Sequence, residues 1–183
     1  MVFDRLFKMF KSNKGGSTVD FTVKDIKKGF IVEYDLKSWE AIEEYEYDWG
    51  GNYKGKEWTL FDGKNQLYLY YASFPSEEIS VSTRMNMLKE LPDLRSDVFT
   101  NDEPRTSFAY GGKQWSIVDE SPGLMINSDT KEEQEIVSWT FDDSEETEFI
   151  TVVRNGEKSA DAYKGKYIKN YEVSNILPRE SED

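Results

Sequence analysis

EYEYDWGGNYKGKEWTLF, residues 44–61, reads as two strands and the turn between them. Tyr45, Tyr47 and Trp49 alternate with Glu44, Glu46 and Asp48, a period of two that gives a strand one aromatic face and one carboxylate face. Gly50-Gly51-Asn52 turns the chain, and Trp58 and Leu60 supply the returning strand. The same grammar continues outward, with short runs of β-branched and aromatic residues separated by turn residues. Val19, Phe21 and Val23 alternate with Asp20 and Thr22, and Phe30–Tyr34 follows a turn at Gly29. LYLYY, 67–71, is apolar on both faces and is expected to be a central strand covered on each side. Further strands are expected at 107–110, 114–118, 136–141, 148–153, 163–168 and 171–176.

The sequence therefore predicts a mainly β protein of antiparallel sheets, as a sandwich or a partly open barrel. One short internal helix is expected at 83–91, where Met87, Leu88 and Leu91 share a face and Pro92 stops it. YDWGGNYKGKEW at 47–58 and YGGKQW at 110–115 echo each other. Two hairpins with the same turn chemistry explain the echo most simply, and two similar β units are the alternative. Residues 1–17 are expected to form an amphipathic helix and flexible linker, 18–179 a single acidic β domain, and 180–183 a disordered tail.

Composition narrows the chemistry. The 183 residues include no His and no Cys, so imidazole and thiolate chemistry, and the metal sites built on those groups, are absent. The net charge of −13 is uneven, because residues 1–28 hold seven Lys or Arg against three Asp and the remainder is strongly acidic. A body of that sign repels nucleic acid. Aromatic residues make up 15% of the chain, too many for a solvated polymer, so it is expected to fold. No apolar run is long enough for a spanning helix, which predicts a cytoplasmic protein.

In MVFDRLFKMFK, residues 1–11, Val2, Phe3, Leu6, Phe7, Met9 and Phe10 fall on one side of a helix and Asp4, Arg5, Lys8 and Lys11 on the other. A helix this short needs a surface to lie on. Its own domain, an anionic membrane face and a partner's groove all remain open, with Phe3, Leu6, Phe7, Phe10, Arg5, Lys8 and Lys11 as the contacting residues.

Glu44, Glu46 and Asp48 form the nearest approach to a catalytic constellation, but any half-exposed strand of an acidic protein carries such a stripe. No catalytic residue is assigned, and the sequence is read as non-enzymatic. Asp142, Asp143, Glu145 and Glu146 miss the register of a calcium loop, so neither metal nor cofactor is expected. Tyr45, Tyr47, Trp49, Tyr53, Trp58, Tyr68 and Tyr70 belong mostly to the core, with some able to face a sugar or a cation such as a polyamine. Glu44, Glu46, Asp48 and Tyr53 are the candidate ligand contacts.

MVFDRLF, IKKGFIVEYDLKSWEAIEEYEYDWGGN, the Trp58–Leu60 return, FAYGGKQW and YEVSNILPRE, in that order, resemble a bacterial family known as domain of unknown function 4178. The resemblance spans nearly all of 19–179. It implies a cytosolic bacterial protein, often encoded near polyamine-synthesis enzymes and membrane-stress proteins, and carries no catalytic residues. The leading expectation is an accessory or adaptor protein that binds a protein partner and attaches peripherally at the inner membrane. The alternative is a binding module for a small cation or polyamine.

Overall fold

The computed structural model of the chain describes residues 20–179. Eleven antiparallel strands make one sheet: β1 Phe30–Tyr34, β2 Lys37–Asp48, β3 Lys54–Phe61, β4 Gln66–Ala72, β5 Glu78–Met85, β6 Ser107–Tyr110, β7 Lys113–Asn127, β8 Glu133–Asp143, β9 Glu148–Arg154, β10 Ala160–Tyr167 and β11 Val173–Pro178. In space they run β11-β1-β2-β3-β4-β5-β10-β9-β8-β7-β6, and a further pairing of β2 with β7 closes eight of them into a barrel. Closure pairs both sides of the eight barrel strands and leaves β11 and β6 as the edge strands of the sheet. β1 with β11, and β6, continue from the barrel as short flaps.

The barrel is built from two similar units, β1–β5 and β6–β10, with matching register. Ala41 faces Leu60 as Ile117 faces Phe141, Glu43 faces Thr59 as Asp119 faces Thr140, and Tyr45 faces Glu57 as Ser121 faces Ser138. Both units shift register at the same place, between Ala41 and Glu43 and between Ile117 and Asp119. The Trp39 indole donates to the Tyr34 carbonyl at 3.1 Å, and the Trp115 indole to the Tyr110 carbonyl at 3.0 Å. YGGKQW at 110–115 therefore corresponds to YDLKSW at 34–39, not to 47–58. The Gly pair is not the shared feature of the turn: in the first unit the corresponding residues with positive φ are Asp35 and Leu36, where the second has Gly111 and Gly112.

Alternation along each strand sorts side chains to the two sides of the barrel wall, and the largest apolar ones point outward. Trp58, Leu60 and Leu69 pack outside with Val23, Ile26, Val32 and Trp39 in one core, under β1, β11 and a 3-10 turn at Val23–Asp25. Trp139, Phe141, Ile150 and Val152 pack outside with Trp115 in a second core, under helices α1 Met87–Glu90 and α2 Pro92–Thr100. Leu69 is wholly buried, as expected of the LYLYY strand, but only Leu67, Leu69 and Tyr71 face that core. Tyr68 and Tyr70 face the barrel interior.

Two local expectations are corrected. β5 runs on to Met85, so Thr83 is in a strand, and Pro92 opens a helix instead of ending one. Proline at the first helical position lacks only an amide hydrogen that would have no intrahelical partner. Val23 lies in the 3-10 turn and not in a strand, because the Asp25 carboxylate accepts from the Thr22 amide at 2.9 Å and its hydroxyl at 2.7 Å.

Candidate functional site

With the apolar residues outside, the interior is left to Tyr, Ser, Thr and carboxylates, around a cavity of about 910 Å³ reached by all eight barrel strands. That is the size of a small-molecule site. The two units contribute unequally. Tyr45, Glu57, Tyr68 and Tyr70 of the first unit line the lumen, while the corresponding positions of the second are Ser121, Ser138, Thr151 and Val153. The small side chains of one half leave the space that the large ones of the other half face.

Glu57 projects into this lumen from β3, between Tyr45 on β2 and Tyr70 on β4. The Tyr47 hydroxyl donates to its Oε1 at 3.2 Å. Among the described residues no Lys or Arg pairs with it. Burial pushes its carboxyl up to about 7, against the smaller opposing effect of the Tyr47 hydrogen bond. Tyr47 itself is raised well above the usual phenol range by burial and then by the Glu57 charge, and Tyr163 is raised by the same two causes. The rings are mutually braced: Tyr47 stacks on Trp49 at 5.2 Å, Tyr47 meets Tyr70 edge-on at 6.0 Å, and Tyr68 meets Tyr163 edge-on at 5.0 Å. The Trp49 indole donates to the Tyr70 hydroxyl at 3.1 Å. Gly55 lies diagonally across from Tyr70, and a Cβ there would collide with the phenol as it stands.

One end of the lumen forms a mouth. Tyr53 and Phe74 meet edge-on at 5.1 Å there, both about half exposed, with Val118 and Tyr167 also on the rim. Glu78 and Asp119 lie on the same rim, and among the described residues neither makes an ion pair. Glu78 is held above the usual carboxylate range by burial and then by the charges of Asp119 and Asp142. Asp142 accepts from the Tyr167 hydroxyl at 3.0 Å. At the opposite end the β7–β8 turn prolongs the β2–β7 seam, where the Ser128 amide donates to the Glu44 carbonyl at 2.9 Å and Lys28 pairs with Asp129.

The carboxylates singled out from the sequence stand elsewhere. Glu44 points outward, 3.5 Å from the Lys56 ammonium and accepting the Lys28 amide at 3.2 Å. Asp48 caps the next turn, accepting from the Gly50 amide at 2.9 Å, and pairs with Lys54. Glu46 shares their outer face, opposite Lys56. Of the four candidate contacts only Tyr53 reaches the lumen. Phe3, Leu6, Phe7, Phe10, Arg5, Lys8 and Lys11 lie outside the described residues. Glu57 lies on the face of β3 opposite that of Trp58 and Leu60, the residues from which the sequence identifies this strand. Stepping by two across the Gly50–Asn52 turn from the Tyr45/Tyr47 face reaches Gly55 and Glu57, so the signal was present in the register.

Among the described residues no group of three or more potential ligands stands close enough to hold a metal ion, and no helix is long and apolar enough to cross a membrane. Residues 27–170 match the family model for domain of unknown function 4178. A similar chain, named only "Uncharacterized protein", comes from Aquifex aeolicus (strain VF5); it is 26% identical over 175 residues, covering 96% of each chain. No solved structure matches. The chain belongs to the domain of unknown function 4178 family.

Proposed function

We propose that this member of a family without an assigned activity is a small-ligand-binding barrel, whose lumen takes an organic cation of the amine or polyamine class without turning it over. The observation that carries the reading is Glu57: an enclosed carboxyl with one phenol as its hydrogen-bond partner and, among the described residues, no cation beside it, in a cavity large enough for a ligand. An ammonium group there would supply the missing counter-charge, and the surrounding tyrosine rings would present their faces to it. Glu78, Asp119 and Asp142 at the mouth offer a second acidic centre, which suits a ligand with more than one amine. Calorimetric titration with spermidine tests the proposal. Saturable binding at one site, weakened at least about tenfold by Glu57→Gln and unchanged by Glu46→Gln, supports it. No binding, or equal binding by Glu57→Gln, overturns it.

An accessory role at the cytoplasmic membrane face is a second reading, favoured by the basic, apolar segment at residues 1–11 set against an acidic body. On that reading a protein partner or anionic lipid receives the segment, and deleting residues 1–10 abolishes sedimentation with anionic vesicles while leaving the thermal transition in place.

A further inference from the structure

We infer that Tyr163 is the residue that sets how long a ligand the lumen accepts. This rests on the lumen-binding reading above. The register of the two units fixes where Tyr163 stands. Exchanging one unit for the other exchanges the two ends of the barrel, and the pair Thr83–Lys164 at the β5–β10 seam maps onto itself. A residue beside that point is at mid-height. Tyr163 adjoins it on β10, and Ser82 holds the corresponding place on β5. At mid-height one unit therefore projects a phenol ring where the other projects a hydroxymethyl group.

The ring meets Tyr68 edge-on at 5.0 Å, so the two tyrosines bridge β4 and β10 over β5 on the lumen side. Tyr68 is the next inward-facing residue on β4 after Tyr70, the partner of Glu57, so the contact lies one inward step from Glu57, away from the mouth. The acids on the two sides of this contact differ in state. Toward the end opposite the mouth, Asp161 is paired with Arg84 and Glu43 accepts from the Thr59 hydroxyl at 3.1 Å. Toward the mouth, Glu57, Glu78 and Asp119 have no cationic partner among the described residues. A linear oligoamine thus finds its counter-charges between Glu57 and the rim, and Tyr163 with Tyr68 narrows the lumen beyond that span.

The test is a ladder of α,ω-diamines of increasing length, titrated into the full-length chain and into Tyr163→Ser, which installs the residue found at the corresponding position of the first unit. Tyr163→Leu shortens the side chain but keeps apolar contact with Tyr68, and guards against a folding failure in the serine variant. Tyr163→Phe keeps the ring. The expected result is a length optimum in the wild-type chain that Tyr163→Phe preserves, while Tyr163→Ser and Tyr163→Leu move it toward longer diamines. The ratio of long to short affinities should rise about tenfold, the scale on which a pocket discriminates chain length. A folded serine or leucine variant with the wild-type ratio overturns the assignment of Tyr163 and leaves lumen binding standing. If no diamine binds the wild-type chain, both fall together.

Discussion

Glu57 concentrates the chemistry of this protein because of what surrounds it, not because of its residue type. Its outer-face neighbours Glu44 and Asp48 keep company with lysines and solvent, whereas Glu57 shares an enclosed lumen with phenols. The folded chain holds its carboxyl near 7 against an ordinary value of 4.5, so between those values the folded state binds a proton that the unfolded state has lost. Stability from this group is therefore full at low pH and declines as pH rises through about 7. The ligand-free protein should melt progressively earlier on going from about pH 5 to pH 8, and Glu57→Gln should flatten that slope in scanning calorimetry. An equal slope in both proteins would mean that Glu57 is solvated. Asp143 shows the opposite behaviour: the Lys113 ammonium at 2.5 Å, with amides of Thr147 and Glu148, holds it well below the usual carboxylate range, and its contribution is lost only in strong acid. At this scale the sequence was legible for the turn at Gly50–Asn52, which Asp48 proves to cap, and silent on Glu57, whose neighbours arrive from β2 and β4.

The strands make two demands on their residues, since one side must pack an outer core and the other must line a lumen. Leu69 answers the first, wholly buried beside Trp58 and Val81, and Leu69→Ala should cost about 2–5 kcal/mol in a denaturant titration through lost burial and the cavity left behind. A loss below about 0.5 kcal/mol would place the strand outside the core. The β1–β2 turn exposes a different cost. Leu36 is fully exposed with φ 59°, a conformation that penalises a branched apolar side chain and that the second unit fills with glycine. Leu36→Gly should stabilise the protein by about 1 kcal/mol, read as a higher denaturant midpoint with unchanged slope. The hairpin at 44–61 could be read from period and turn residues alone. The Thr83–Leu91 segment could not, because Met87, Leu88 and Leu91 repeat at helical spacing while Thr83 and Met85 serve the β5–β10 seam. Local spacing cannot reveal a partner strand some 80 positions away.

In the whole molecule, two β units join edge to edge, both apolar on the outside but unlike on the inside. Trp58 and Trp139 occupy the same place in both outer walls, both buried, but the lumen positions are Tyr and Glu in one unit and Ser, Thr and Val in the other. The β class and the option of paired units were readable from the sequence; the closure through β2 and β7, and the lumen it creates, were not, because each rests on register between distant segments. That lumen is the central claim, and a crystal structure grown with cadaverine tests it most directly. The account predicts the diamine inside the barrel, one nitrogen about 2.7–3.2 Å from the Glu57 carboxylate and the other directed toward Glu78 and Asp119. A lumen holding only solvent, with the diamine bound on the outer wall at Glu44, Glu46 and Asp48, would contradict it.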